Sequence, residues 1–250
     1  MKAILLGTGT SYPDHERVQS GILVETGSCR ILFDIGSGVL HRLTQLHIDL
    51  RTIYSIFISH FHIDHCSDFL TLIQSLWLSG YDRPLKLYAP TRVEEWLHGL
   101  FDSFAYLREK IVIEASVLDE NRVEKEDDFI VTNVQTMHGN MDSRAFKIEL
   151  DNMSLVISSD AAPSQEVINL ARNCDVLVHE CNWLDGVHPE GVHTSPSELA
   201  QVAEETSPKK LVLTHVSPEV VANKKKVLEI VSRRTDAEVI LGEDLMVLEL

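Results

Sequence analysis

Short apolar runs alternate with amphipathic stretches along the whole chain. Runs such as Ile53–Ile58 predict buried strands, and apolar residues three and four positions apart predict helices. The predicted strands are Ala3–Leu6, Gly21–Glu25, Arg30–Asp34, Ile53–Ile58, Leu85–Tyr88, Ile111–Leu118, Phe129–Thr136, Ala145–Leu150, Leu155–Ser158, Val176–Val178, Leu211–Leu213, Val239–Leu241 and Leu245–Leu248. The predicted helices are Val39–Leu46, Asp68–Leu78, Arg92–Phe104, Gln165–Arg172, Pro196–Glu205 and Glu219–Arg233.

The chain shows no repeats, low-complexity segments or linkers rich in Pro, Gly or Ser, so residues 1–250 are predicted to form one domain. The acidic stretch Glu124–Asp128 is predicted to be a solvated turn between two strands. Hydrophobic residues make up 44% of the chain and charged residues 24%, as in ordinary globular proteins.

Several predicted strands end in a residue that can bind a metal or move a proton. In sheets covered by helices, the carboxyl ends of the strands are where functional sites assemble. A single histidine at such a position is more often a core or capping residue, but five strand ends are difficult to attribute to packing. The residues at these ends are His60, His138, Asp160, the pair His179-Glu180, and His215.

The stretch Ser59–His65 contains three histidines and one aspartate directly after a predicted buried strand. In an extended backbone His60, His62 and Asp64 would lie on one side, and a sharp turn would bring His65 to the same region. The spacing predicts a loop that surrounds more than one metal ion. The alternative is a polar loop with solvated histidines.

Imidazole and carboxylate donors suit zinc, manganese or iron, and no cysteine converges on the predicted site. Two cations about 3.5–4 Å apart need an anion between them, and Asp160 is the candidate. A hydroxide would form a second bridge, because bound metals lower the pKa of water towards about 7. The residues therefore predict two divalent ions, and without a thiolate ligand they leave zinc, manganese and iron open; zinc is our first expectation, with manganese and iron as the alternatives.

The stretch Ser59–His65 resembles the His-x-His-x-Asp-His motif of the metallo-β-lactamase-fold hydrolases, and the resemblance extends over nearly the whole chain. It implies an α/β (α+β) fold, a four-layer αββα sandwich of two mixed sheets flanked by helices. It also implies that Asp34 orients a ligand histidine. The implied metal ligands are His60, His62 and His138 for the first ion, Asp64, His65 and His215 for the second, and Asp160 as the bridge.

Within that superfamily the chain is similar to the ribonuclease Z-related phosphodiesterase branch. The similarity lies in Leu6–Pro13, in His179-Glu180-Cys181-Asn182 and in His193-Thr194. It implies that His193 donates a proton to the leaving oxygen, and that Glu180 holds its imidazole and raises its pKa. The predicted catalytic residues are Asp64, Glu180 and His193, and the predicted supporting residues are Asp34 and His179.

Two departures from this branch bear on the substrate. Members that process transfer RNA carry a protruding arm between the third-histidine motif and the bridging aspartate, but His138 and Asp160 are too close in sequence for one. Cys181 and Asn182 also replace the expected Ala and Thr. The formal net charge of −16 also argues against a nucleic-acid substrate, because binding of a phosphate backbone needs clustered Lys and Arg. A small phosphodiester is therefore favoured over nucleic acid.

The function expected from the sequence is a dinuclear metal-dependent hydrolase that cleaves a small or cyclic phosphodiester, with a metal-bridging hydroxide as nucleophile. The alternatives are ribonuclease Z-type cleavage of transfer-RNA 3′ ends and a lactonase, thioesterase or sulfatase on the same fold. A non-enzymatic metal-binding protein is a further alternative, disfavoured because a shared carboxylate leaves coordination positions open.

The N-terminal apolar run is too short for a signal peptide, and no stretch approaches the roughly 20 apolar residues of a membrane span. We therefore expect a cytoplasmic protein without a membrane partner. Relatives in the branch are often homodimers, which leaves a homodimer open here.

Overall fold

The computed structural model describes residues 1–27, 29–119, 123–125 and 129–250. The first half contains β1 (Lys2–Gly7), β2 (Gly21–Glu25), β3 (Arg30–Phe33), α1 (Val39–Gln45), β4 (Ile53–Phe57), α2 (Ile63–Cys66), α3 (Phe69–Leu78), β5 (Leu85–Ala89), α4 (Val93–Ser103) and β6 (Ile113–Val117). The second half contains β7 (Val123–Lys125), β8 (Ile130–Gln135), β9 (Arg144–Leu150), β10 (Met153–Ile157), α5 (Gln165–Ala171), β11 (Val176–Glu180), α6 (Pro196–Thr206), β12 (Lys210–Thr214), α7 (Pro218–Ala222), α8 (Lys224–Ser232), β13 (Glu238–Leu241) and β14 (Met246–Glu249).

The described strands form two mixed sheets of seven strands each. The first sheet has the order β14-β1-β2-β3-β4-β5-β6, and the second has the order β13-β12-β11-β10-β9-β8-β7. In the first sheet β3 to β6 are parallel neighbours, and in the second β10 to β13 are parallel. Parallel neighbours end at the same edge of a sheet, so the loops after β4, β10, β11 and β12 can converge.

Apolar side chains divide into three buried layers that match a four-layer sandwich. Alternate residues of one strand enter different layers: Leu5 packs between the sheets, whereas Ile4 and Leu6 face the helices α1 and α3. Phe33 and Phe57 of the first sheet meet Phe146 of the second, with ring centroids 5.2 and 5.7 Å from that of Phe146. Helices α5, α6, α7 and α8 cover the outer face of the second sheet. The predicted αββα architecture is confirmed.

Three local predictions need correction. The predicted helix Glu219–Arg233 is two helices, because Asn223 (φ −106°, ψ 18°) leaves helical geometry while its side-chain amide donates to the Glu219 carbonyl. The predicted acidic turn begins instead with strand β7, which pairs with β8, and residues 126–128 lie outside the described residues. The loop after His62 contains the short helix α2.

In the part of the chain that the structure describes, no helix combines the length and apolarity needed to cross a bilayer.

Candidate metal centre

The histidine-rich loop leaves the end of β4 and is braced by the segment that follows β3. The Ile35 N–H donates to the His65 carbonyl (2.8 Å), and the Asp68 N–H donates to the Ile35 carbonyl (3.0 Å). Gly36 permits the close approach, because a Cβ there would lie 2.0 Å from the carbonyl oxygen of Asp64. His62 remains extended (φ −65°, ψ 145°) and α2 begins directly after it, which turns Asp64 and His65 inward.

Three histidine nitrogens form the first cluster. His62 Nδ1 lies 3.0 Å from His60 Nε2 and 3.2 Å from His138 Nε2. A tetrahedral ion with metal–nitrogen bonds of about 2.0–2.1 Å holds its ligands about 3.3 Å apart, so these spacings suit one cation. The Oδ2 atom of Asp160 completes the cluster at 3.8 Å from His60 Nε2 and 3.6 Å from His138 Nε2.

The second cluster uses the other oxygen of the same carboxylate. Asp160 Oδ1 lies 3.2 Å from His65 Nε2 and 3.4 Å from His215 Nε2. Asp64 Oδ2 lies 3.6 Å and 3.3 Å from the same two nitrogens. Asp160 therefore offers one oxygen to each cluster, as a bridging ligand must.

Buried polar atoms at this point need a further partner. His65 Nε2 and Asp160 Oδ1 are fully enclosed and form no hydrogen bond. Buried polar groups are rarely left so, unless an ion or solvent satisfies them. The donor set, its spacing and these atoms fit two divalent cations.

Asp34 and Ser59 determine which ring nitrogen carries the proton in one histidine of each cluster. Asp34 accepts hydrogen bonds from Ser59 N (2.7 Å), Ser59 Oγ (2.9 Å) and His65 Nδ1 (2.7 Å). Ser59 Oγ in turn lies 3.0 Å from His60 Nδ1. With both Nδ1 atoms donating, the Nε2 atoms of His60 and His65 keep free lone pairs that point into the clusters. His138 follows the same rule, because its Nδ1 bonds the Val192 carbonyl (2.7 Å).

A buried histidine–glutamate pair lies beside the two clusters. His193 Nδ1 is 2.7 Å from Glu180 Oε1, and Glu180 also accepts N–H bonds from Ala161, Asn182 and Thr194 (2.9–3.2 Å). The His193 ring lies 4.9 Å from that of His138 and 5.5 Å from that of His215. The pair thus places an imidazole that can bind or donate a proton next to both clusters.

Comparison with known proteins identifies the family. A sequence model described as the anti-Pycsar protein Apyc1 matches residues 1–235 of the chain. The chain belongs to the Apyc1 family. Ribonuclease Z of Methanosarcina mazei is 26% identical to this Apyc1-family protein over 300 aligned positions, covering 100% of the chain and 98% of the relative.

Two solved structures share the fold of the Apyc1-family chain. The metallo-β-lactamase-fold protein YhfI from Bacillus subtilis is 22% identical with a TM-score of 0.86, over 100% of this chain and 99% of that one. Human tRNase Z, short form, is 23% identical with a TM-score of 0.81, with the same coverage. The predicted metallo-β-lactamase fold and ribonuclease Z-related branch are confirmed, as is the prediction of a metal-dependent hydrolase.

Burial sets the electrostatics of the first cluster in the Apyc1-family protein. It lowers the pKa of His60 well below its ordinary value and also lowers the pKa values of His62 and His138. These imidazoles are therefore neutral, which is the form that binds metals. Although burial lowers it, the pKa of His65 is well above its ordinary value, because the carboxylates of Asp160 and Asp34 outweigh that effect. The carboxylates around the second cluster thus favour positive charge there, and a bound cation would replace the proton on His65 Nε2.

The expected effect of Glu180 on His193 is wrong in one respect. Burial lowers the pKa of His193, although Asp160 and Asp64 oppose it. Burial and the nearby Asp160 raise the pKa of Glu180 well above its ordinary value. Since both partners are desolvated, the structure does not favour an extra proton on His193 near neutral pH, and the contact with Glu180 fixes the direction of the ring.

His179 is the predicted site residue that the structure separates from the others. It alternates with Val178 and Glu180 along β11, so its side chain faces the helices rather than the interior between the sheets. Its Nδ1 donates to the Glu180 carbonyl (2.9 Å), and burial lowers its pKa to about 4. The other predicted site residues of the Apyc1-family chain lie together: His60, His62, Asp64, His65, His138, Asp160, His215, Asp34, Glu180 and His193.

Sequence reasoning overlooked the roles of Ser59 and Thr194. The Ser59 hydroxyl lies between the Asp34 carboxylate and His60 Nδ1 and links them by hydrogen bonds. Its position directly before the first histidine was the available signal. Thr194 donates from its hydroxyl to the Ala161 carbonyl (2.6 Å) and from its N–H to Glu180 (3.2 Å). It thereby ties the loop of His193 to the segment after Asp160.

Proposed function

We propose that the protein is a phosphodiesterase that uses two divalent metal ions, zinc in the first instance, to cleave a small or cyclic phosphodiester. The observation that carries the proposal is the division of the Asp160 oxygens between two clusters of ligand atoms, with His193 beside both. The whole-chain similarity to ribonuclease Z supports hydrolysis of a phosphodiester.

The proposed metal ligands are the seven residues of the two clusters. His60, His62, His138 and Asp160 would hold the first ion, and Asp64, His65, His215 and Asp160 the second. The two ions supply the positive charge that activates water and neutralises a phosphate group. Nitrogen and oxygen donors at near-tetrahedral spacing support zinc.

His193 is proposed as the proton donor to the leaving oxygen. Glu180 engages its Nδ1, which leaves Nε2 available to the substrate. Three backbone N–H groups fix the Glu180 carboxylate, so the ring direction is set before substrate binds. A phosphate bound next to the ring would favour a proton on Nε2, and the lowered pKa of His193 makes that protonated form a stronger acid.

The segment between His138 and Asp160 supports a small substrate. It is filled by the antiparallel pair β9–β10, whose strands are joined through Asp151 and Asn152. No RNA-gripping extension occupies this described segment. The net charge of −16 also disfavours a long polyanion.

Ribonuclease Z-type cleavage of transfer RNA is the second candidate, favoured by relatives of that name which match 100% of the chain. A lactonase, thioesterase or sulfatase would use the same clusters but would need no acid when the leaving group is good.

The test is hydrolysis by metal-depleted protein reloaded with zinc, manganese or iron. We expect turnover of bis(p-nitrophenyl) phosphate and of 3′,5′-cyclic mononucleotides, and little cleavage of precursor transfer RNA. The control is Asp160→Ala, which loses one ligand from each cluster. Failure on every phosphodiester would refute the reaction class, and efficient cutting of the precursor RNA would favour the second candidate.

A further inference from the structure

The hydrogen bond between Glu180 and His193 fixes one end of the imidazole. It joins Oε1 to Nδ1 at 2.7 Å, and the glutamate itself is held by three backbone N–H groups. A single hydrogen bond leaves a ring free to turn about the line between the two bonded atoms. Such a turn would move Nε2, the atom proposed to serve the substrate, so a further contact is needed to hold it.

Three described rings contact that of His193. Two belong to the proposed metal ligands His138 and His215, with centroids 4.9 and 5.5 Å away. The third belongs to Trp183, whose centroid lies 5.0 Å away at an interplanar angle of 87°. Aromatic rings favour this edge-to-face geometry, and it resists rotation because a turned ring would lose the contact or overlap the indole. Trp183 is therefore the contact that can hold the imidazole without itself binding a metal.

The indole of Trp183 is itself fixed by a second histidine. His188 stacks on it with centroids 4.5 Å apart and an interplanar angle of 17°. The Nε2 atom of His188 donates to the Leu184 carbonyl (2.6 Å), since a carbonyl can only accept. A continuous stack of rings thus leads from the loop after β11 to the proposed proton donor.

The loop that carries this stack is anchored near both ends. Near its start Asp185 accepts from the N–H and the hydroxyl of Ser197 (2.9 and 2.8 Å), in the first turn of α6. Near its end the Gly191 carbonyl accepts from the Gly139 N–H (2.7 Å), directly after His138. Because these bonds tie the loop to α6 and to the first cluster, the indole has a defined position before substrate binds.

We propose that Trp183 is a positioning residue for proton donation, whose indole holds the His193 ring so that Nε2 points at the leaving oxygen. The inference rests on the proposed phosphodiesterase function and adds a residue that acts only through His193. Glu180 would fix where the ring is attached, and Trp183 how it is turned. As the P–O bond to the leaving group breaks, its electron pair stays on that oxygen, which takes the proton from Nε2.

The test compares two esters that differ only in the leaving phenol, methyl p-nitrophenyl phosphate and methyl phenyl phosphate. The nitrophenolate leaves without an acid, whereas the more basic phenolate needs the proton. Trp183→Leu should lower kcat for the phenyl ester about 10–100-fold, the loss typical of a catalytic group displaced by about 1 Å, and for the nitrophenyl ester less than about threefold. KM should not change for either ester. Trp183→Phe, which keeps a ring at this position, should recover most of the lost kcat.

A double-mutant cycle shows whether Trp183 acts through His193. On the phenyl ester, the variant that combines His193→Ala with Trp183→Leu should lose no more kcat than His193→Ala alone, because no imidazole is left to position. Additive losses would overturn the inference. An equal fall in kcat for both esters, or a rise in KM, would overturn it as well.

The matched control is Trp77→Leu, the same substitution near the end of α3, where the indole is exposed and contacts Lys110. It should change neither kcat nor KM. Zinc content and thermal unfolding show whether each variant keeps its clusters and its fold. Absence of turnover of both esters by the unaltered protein would instead count against the proposed function.

Discussion

Replacing Asp34 by Asn tests how the clusters obtain their free lone pairs. Asn has the same shape and tolerates the left-handed backbone of this position (φ 58°), so the fold should persist. Its amide oxygen can still accept from Ser59 N, but its NH₂ group then faces Ser59 Oγ and His65 Nδ1. His65 must accept at Nδ1, which moves its proton to Nε2 and blocks the lone pair used by the second cluster.

The expected magnitude follows from the contact that is lost. A hydrogen bond to a charged group contributes about 1.5–3 kcal/mol, and about 1.4 kcal/mol corresponds to tenfold in affinity. Loss of the His65 contact alone should therefore weaken zinc binding at the second cluster by about 10–100-fold, the range usual for such supporting carboxylates. The first cluster should weaken less, because Ser59 separates it from Asp34.

The assay is titration of metal-depleted protein with zinc in competition with a chromophoric chelator, which gives stoichiometry and both affinities. Asp68→Asn is the matched control, since Asp68 accepts from the N–H groups of Gly38 and Leu40 in the same region. It should bind zinc as the unaltered protein does. Two ions bound by Asp34→Asn with undiminished affinity would refute the reasoning.

Three further predictions concern the acid, the loop brace and the ions. His193→Ala should reduce kcat about 10²–10⁴-fold for substrates with alkoxide leaving groups but less than about tenfold for p-nitrophenyl esters, measured by steady-state kinetics; equal losses would argue against an acid. Gly36→Ala should cost about 1–3 kcal/mol in urea unfolding, because the new Cβ would meet the Asp64 carbonyl at 2.0 Å, whereas Gly27→Ala, with open space around it, should cost much less. Chelation should lower Tm by more than about 10 °C, since an ion at about a thousand times its Kd adds about 4 kcal/mol, and two equivalents of zinc should restore it; an unchanged Tm would mean that the clusters hold no ion.

Much of this site was predictable because its donors follow strands with continuous apolar runs. Ile53–Ile58 and Leu211–Leu213 were recognised from composition alone, so His60 and His215 could be placed at strand ends. Composition does not show which face of a strand a side chain lies on, because that depends on the position of the residue in the pleat. His179 and Glu180 are adjacent in sequence, yet only one of them faces the interior between the sheets, and the register of β11 sets which.

Other features depended on contacts between segments distant in sequence. Asp34 was expected to orient one histidine, but its link to a second one runs through Ser59, which only the folded loop brings within reach. The lowered pKa of His193 follows from burial, which its own sequence neighbourhood does not reveal. The break at Asn223 was missed because the apolar spacing continues through it.

The donors reach the centre from opposite halves of the sandwich. His60, His62, Asp64 and His65 extend from the first sheet, whereas His138, Asp160 and His215 extend from the second. Away from this rim the sheets meet through apolar contacts such as Phe33 against Phe146, which are non-directional. Ions bound at this rim would be ligated by residues from both sheets and would therefore fix how the two sheets align. A substitution that shifts either sheet would then misalign the whole set of ligands.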